Sequence, residues 1–258
     1  MNDAFEGIEF KQVERKRKVR KKKHYLRKFL ILVALCIALY LFLSSDYFTV
    51  KKITVQGSKY YTQEEVTALA GAKEGGNLFF DENIKKMKKR LEKDPYFESV
   101  KFKRIIPDAL VIQVTERSQT AAIIYGDQYV VIDGTGLVLR KTDIDPEITA
   151  LTGLTISKLH LGEKVEAEES ESLKTTLEMI SIMKKGDLFF KKIDVSKVII
   201  KAYIYDNLIV KGTPKQIMES IENGYLQKVV SDLFENGINR GTINMGGDDY
   251  MTFSPETQ

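Results

Sequence analysis

Histidine and cysteine are almost absent from this 258-residue chain: His24 and His160 are its two histidines and Cys36 its one cysteine. A single cysteine closes no intramolecular disulfide. Because Cys36 lies inside an apolar run, no folded part gains a thiolate or a cysteine-based metal site from it. The two histidines flank that run and lie far apart in the sequence, which leaves no spare member for a His-based triad and no two-histidine metal site. The glycines between Gly71 and Gly76 follow a predicted helix rather than a strand and carry no Lys-Ser/Thr phosphate grip. No catalytic, metal-binding or cofactor-binding residue is assigned, and no cofactor is implied.

Charge is also missing, locally, from Phe29 to Ser45, a stretch at the short end of what spans a hydrocarbon core. Just before it lies a cluster of Arg and Lys from Arg15 to Lys28. Tyr25, Tyr47 and Phe48 suit the two interfaces, and Arg27 and Lys28 can lay their methylene stems along the acyl boundary. No small-x-small cleavage site follows Leu43, so the run is read as a permanent anchor rather than a signal peptide. Positive charge stays on the cytoplasmic side, which puts the arm 1–28 inside and everything from Asp46 outside. That arm is read as an anchor on anionic lipid without a fold of its own. The whole chain holds 40 Lys and Arg against 36 Asp and Glu; the arm holds eleven and four, which leaves 29 and 32 beyond it. The external part is therefore slightly acidic and is not expected to bind nucleic acid. Its lack of disulfides suits a bacterial surface.

Patterning divides the external part into two domains, 46–117 and 118–253, with a short tail, 254–258. In the first, Ile53 and Val55 alternate with polar residues as a strand ended by Gly57. Thr62 and Glu65 form a capping box for a helix that Gly71 stops, and Asp81 is the candidate cap of a second helix carrying Ile84, Met87 and Leu91. Two further strands, around Val100–Phe102 and Leu110–Val114, flank a turn at Ile106–Ala109. The order is strand, helix, helix, strand, strand, with both helices expected on one face of a three-stranded sheet. The second domain opens with a hairpin, Ala121–Tyr125 and Tyr129–Ile132, and a turn at Asp133–Gly134. A helix over 167–185 follows, then strands around Lys192–Val195, Val198–Tyr205 and Leu208–Lys211. A single helix starts at Thr213-Pro214-x-Gln216 with Ile217, Ile221, Tyr225, Val229 and Leu233 on one side. A last strand, Thr242–Met245, precedes the tail. Asp133 is read as a turn residue rather than a catalytic aspartate, and Glu163, Glu166, Glu168, Glu169 and Glu171 as a solvated helix start.

The first external domain resembles a POTRA domain, and the chain from Lys28 to about Phe253 resembles the FtsQ/DivIB family of bacterial division proteins. The motif that carries the likeness is Arg104-x-x-Pro107-Asp108-x-Leu110-x-Ile112-x-Val114-x-Glu116-Arg117. Asn77–Asp81, Pro95-Tyr96, Val131-Ile132-Asp133-x-x-Gly136, Ile193–Ser196 and Gly241-Thr242-Ile243 follow in the family's order. Two departures stand out. Ser118-Gln119-Thr120 replaces the proline that often follows the Glu-Arg pair, which puts the setting of the interdomain hinge in doubt, and Asn244 stands where aspartate is usual. The resemblance implies an α+β chain with a single transmembrane helix, a βααββ POTRA domain and a second mixed α/β domain with a terminal strand. It implies a non-enzymatic septal scaffold that binds bitopic partners similar to DivIC/FtsB and FtsL and regulates septal wall synthesis. A terminal strand can accept a partner's strand. Arg240, Ile243, Met245, Tyr250, Met251 and Phe253 are the candidate partner contacts, being of types enriched in interface centres; Ile243 and Met245 serve equally well as core. The rival readings are an anchored cell-wall hydrolase or transferase, and a POTRA-containing transport accessory protein.

Overall fold

The computed structural model describes residues 25–80, 83–184, 186, 188–246 and 250–256, so most of the basic arm and the proposed cap Asp81 lie outside the described residues. The chain divides into two compact units, 1–45 and Asp46–Gln258. In the first, helix α1 (Tyr25–Leu43) has a mean hydropathy of 2.3 and is long and apolar enough to cross a membrane. It starts four residues before the expected span and ends two before its limit, because Arg27 and Lys28 continue the helix instead of preceding it.

The second unit begins with a 3₁₀ turn, Asp46–Phe48, and a three-stranded sheet formed by β1 (Lys52–Gln56), β2 (Phe97–Ile105) and β3 (Ala109–Glu116). The order is β1-β3-β2, with β1 parallel to β3 and β2 antiparallel to it. Helices α2 (Gln63–Ala70) and α3 (Ile84–Leu91) connect β1 to β2. The Thr62–Glu65 capping box is formed, and Gly71 ends α2 in the left-handed conformation that glycine tolerates. Asn83 caps α3, its Oδ1 accepting from the Lys86 amide at 3.1 Å. Val66, Ala70, Met87 and Leu91 pack with Val100, Leu110, Ile112 and Val114 into one core.

The motif residues hold this small sheet at both ends. Arg104 Nε donates to the Leu78 carbonyl at 2.7 Å, pinning the 77–80 loop to the β2–β3 hairpin. At the other end Glu116 accepts from Ser58 Oγ and from the amides of Lys59, Tyr60 and Tyr61. Desolvation alone would raise the Glu116 carboxyl, but these donors outweigh it and hold the group below its ordinary value.

A nine-stranded sheet follows, in the order β14-β13-β12-β11-β10-β7-β4-β5-β6. Its first three strands, β4 (Ala121–Tyr125), β5 (Gln128–Ile132) and β6 (Val138–Thr142), form a meander. After β7 (Ala150–Thr152), a separate two-stranded ribbon of β8 (Ile156–Lys158) and β9 (Glu166–Ala167) leads into α4 (Ser170–Met183). Then come β10 (Lys192–Asp194), β11 (Ile200–Tyr203), β12 (Leu208–Gly212), α5 (Pro214–Glu222), α6 (Tyr225–Glu235), β13 (Gly241–Met245) and β14 (Met251–Ser254). Leu177, Ile180, Ile217, Ile221, Leu226 and Val230 from the helices share a core with Ile123, Leu151, Ile193, Val210 and Ile243 from the strands.

Three expectations change. The helix expected as one piece from Thr213 is two, because Gly224 at φ 74° breaks it; Leu226 and Val230 are then buried and Tyr225 is half exposed. The acidic run is a solvated helix start only at Glu171, which is exposed in the first turn of α4; the others precede the helix and are paired. Glu163 and Glu166 pair with Lys158 at 2.9 and 3.6 Å, Glu168 pairs with Lys197, and buried Glu169 accepts from the Thr155 amide at 2.8 Å. Strand Gly241–Met245 is also not the last, since β14 lies beyond it.

Arg117 and Asp133 join the two sheets. Arg117 Nη1 lies 3.0 Å from Asp133 Oδ2, while Asp133 Oδ1 accepts from the amides of Thr135 and Leu137. Tyr96 packs on Val131 and Leu139, and its hydroxyl accepts from Arg140 Nε at 3.0 Å. Burial would raise the Asp133 carboxyl; its amide, hydroxyl and guanidinium donors win and lower it.

Because Asp133 and Glu116 are depressed in the folded state, their contribution is complete above the unfolded carboxyl range and is lost as pH falls through the folded values. Chemical denaturation of 46–258 is expected to give constant stability above about pH 5 and a decline below it. Arg117→Ala is expected to cost about 1–3 kcal/mol at neutral pH, less than a fully stranded buried charge, because Asp133 keeps its other donors.

Candidate functional site

At one end of the long sheet, β14 pairs with β13 in the register Met245↔Met251, Asn244↔Thr252, Ile243↔Phe253 and Thr242↔Ser254. The Gly246 amide donates to the Tyr250 carbonyl at 2.6 Å, which makes that pair hydrogen-bonded. Alternation along an antiparallel ladder then directs the N–H and C=O groups of Thr252 and Ser254 toward β13, and those of Met251 and Phe253 outward. Among the described residues no strand pairs with that outer side. β14 carries no charge along its length.

Side chains alternate with the backbone. Met251 and Phe253 lie half-buried against the helix-covered core, whereas Thr252 and Ser254 are exposed on the opposite face. Phe253 lies across Gly241, whose φ is 136° and whose hypothetical Cβ would stand 2.5 Å from Phe253 Cζ. A glycine is needed there both for its backbone conformation and for the approach of the ring.

Beside the hairpin, α5 and the strand ends enclose a cleft of about 240 Å³ lined by Gln216, Glu219, Ser220, Met245, Gly246, Tyr250 and Met251. Gln216 ties its walls together: Oε1 accepts from the Thr213 amide and hydroxyl, and Nε2 donates to the Gly246 carbonyl at 2.9 Å. Tyr250, 67% exposed, stands on the rim.

The six candidate residues thus separate. Met245, Tyr250 and Met251 meet at this cleft, and Phe253 lies further along the open strand. Arg240 is exposed at the opposite end of β13, beside Tyr205, Asp206 and Phe234. Ile243 is fully buried against Val210 and Phe253 and presents no side chain to a partner. No sequence pattern marks Gln216, Glu219 or Ser220 as site residues. The capping box identified Gln216 only as a helix start, and no signal marked the second role of its amide. Among the described residues there is no group of three or more His, Cys, Asp or Glu able to hold a metal ion.

A family model described as the POTRA domain, FtsQ-type, matches residues 48–117. A protein called cell division protein DivIB from Clostridium acetobutylicum is 29% identical over 191 residues, covering 72% of this chain and 76% of its own. A second protein of that name, from Clostridium botulinum, is 28% identical over 227 residues, covering 85% of this chain and 86% of its own. A protein called cell division protein FtsQ from Syntrophotalea carbinolica is 32% identical over 114 residues, which is 44% of this chain and 40% of the relative.

Gly241→Ala is expected to displace Phe253 and loosen β14, lowering stability by about 1–3 kcal/mol and raising amide exchange in 251–254 before the rest of the sheet. Exchange rates unchanged in that strand would show that Phe253 does not depend on the glycine.

Proposed function

The chain belongs to the FtsQ/DivIB family of cell division proteins, and from that premise we propose a non-enzymatic, single-pass membrane scaffold that grips small bitopic partners of the division machinery. The observation that carries this reading is the uncharged open edge of β14. The outward amide and carbonyl groups of Met251 and Phe253 pair with an extended segment of the partner, and Tyr250 with the adjoining cleft receives its side chains. The partners are chains similar to DivIC/FtsB and FtsL, held at the septum so that septal wall synthesis is regulated through them. The arm lies in the cytoplasm and both folded sheets outside, anchored through α1.

Met251→Pro removes an outward donor while sparing the β13 ladder, and proline is tolerated at a sheet edge for that reason. In a titration of the full chain with a DivIC-like partner, Met251→Pro and Tyr250→Ala are each expected to weaken binding by about 1–3 kcal/mol; thermal stability changes little for Tyr250→Ala and falls for Met251→Pro by the lost packing of the half-buried methionine. Unchanged affinity in both variants would remove the edge from the proposal. For topology, protease added to intact spheroplasts is expected to digest residues beyond Asp46; complete protection would place them on the other side.

A further inference from the structure

We propose that the end of the three-stranded domain where the chain enters it is a second membrane contact, which dips into the interface of an anionic bilayer. This rests on α1 crossing the membrane. Four large apolar side chains are exposed there: Tyr47 at 62%, Phe80 at 50%, Ile105 at 47% and Ile106 at 64%. They come from three segments that backbone bonds bring to one end of the sheet. The Leu78 amide donates to the Phe48 carbonyl at 2.8 Å, the Lys51 amide donates to the Asp108 carbonyl at 2.8 Å, and Arg104 Nε holds the Leu78 carbonyl. The tip is therefore assembled rather than loose.

Chain length selects lipid as its occupant. Phe48 is buried in the domain, and only residues 44–47 separate it from Leu43, the last residue of α1. Even fully extended, that link reaches no more than about 18 Å, and the 3₁₀ turn shortens it. Charge points the same way among the described residues: Lys51, Lys52, Lys103 and Arg104 are exposed around the tip, against Asp46 and Asp108. A tyrosine and branched or aromatic side chains ringed by Lys and Arg are what an anionic interface attracts. The contact would restrict the tilt of the domain and with it the direction in which the β14 edge is offered.

The absence of tryptophan from the chain makes a direct test possible. Single reporters Ile106→Trp, Leu39→Trp in α1 and Ile144→Trp in the loop after β6 are placed in the full chain. Each is reconstituted in nanodiscs of phosphatidylcholine and phosphatidylglycerol whose acyl chains are brominated near the carbonyl. The Ile106→Trp and Leu39→Trp emissions are expected to fall by roughly half on bromination, and Ile144→Trp to stay unchanged. Ile105→Trp reports the same contact if Ile106→Trp fails to fold. An unquenched tip reporter beside a quenched Leu39→Trp overturns the second contact and leaves the anchor standing; an unquenched Leu39→Trp overturns the anchor itself. A tip emission that shifts only with rising protein density, without lipid quenching, assigns the patch to a second copy and also overturns the proposal.

Discussion

The parallel pairing of β12 with β13 fixes most of what lies around the candidate site. Parallel neighbours cannot be joined by a tight turn, so the chain must leave the sheet and cross back. It does so through α5 and α6, whose Ile217, Ile221, Leu226 and Val230 cover one face of the sheet and bury Ile243. Beyond β13 the chain folds back antiparallel as β14. The cleft under α5 and the burial of Ile243 are thus consequences of one connection. Gly212 shows how tightly β13 is seated, since a Cβ there would stand 2.7 Å from Met245 Cβ.

The adjacent pair Glu116 and Arg117 connects the small sheet to the large one because neighbouring residues in an extended strand point to opposite sides. Glu116 turns back to gather the loop before α2 through Ser58 and three amides, while Arg117 turns forward to Asp133. Tyr96 completes the seam from the side: its amide is bonded to Asp94, its carbonyl receives the Arg117 amide, and its ring lies against Val131 and Leu139. The Ser118-Gln119-Thr120 link needs no proline to hold its course, because the Thr120 amide donates to Ile132 and Lys184 reaches the Gln119 carbonyl.

Local rules read this chain well where local chemistry decides. The two capping boxes, at Thr62 and Thr213, and the hairpin at Gly126-Asp127 were legible because each needs only residues a few positions apart. The split at Gly224 is not legible in the sequence because Ile217, Ile221, Tyr225, Val229 and Leu233 keep helical spacing across it. A glycine in the left-handed conformation breaks the axis without disturbing that pattern. β14 escapes the pattern for a different reason: Met251 to Ser254 is short, followed by Pro255, and gains strand character from pairing with β13. Asp133 was read correctly as a turn former, but its ion pair depends on Arg117 arriving from another sheet, which no local pattern announces.

The other sheet edges give β14 its meaning. An unpaired strand edge is a template for unintended pairing, and proteins blunt it with charge or cover. β2 carries Glu98, Lys101, Lys103 and Arg104; β1 begins with Lys52; β8 and β9 carry Lys158 and Glu166. β6, at the far end of the long sheet, carries Arg140 and Lys141 and is partly covered where Val138 bonds with Glu163 and Gly162. Among the described strands that end a sheet, β14 alone has no charged side chain, and its Met251 and Phe253 expose backbone beside a half-open apolar surface. A fold that protects its other edges and leaves this one bare concentrates its capacity for strand pairing in a single place. In the proposed scaffold a partner's strand would cover this edge and so keep it from pairing with copies of its own chain.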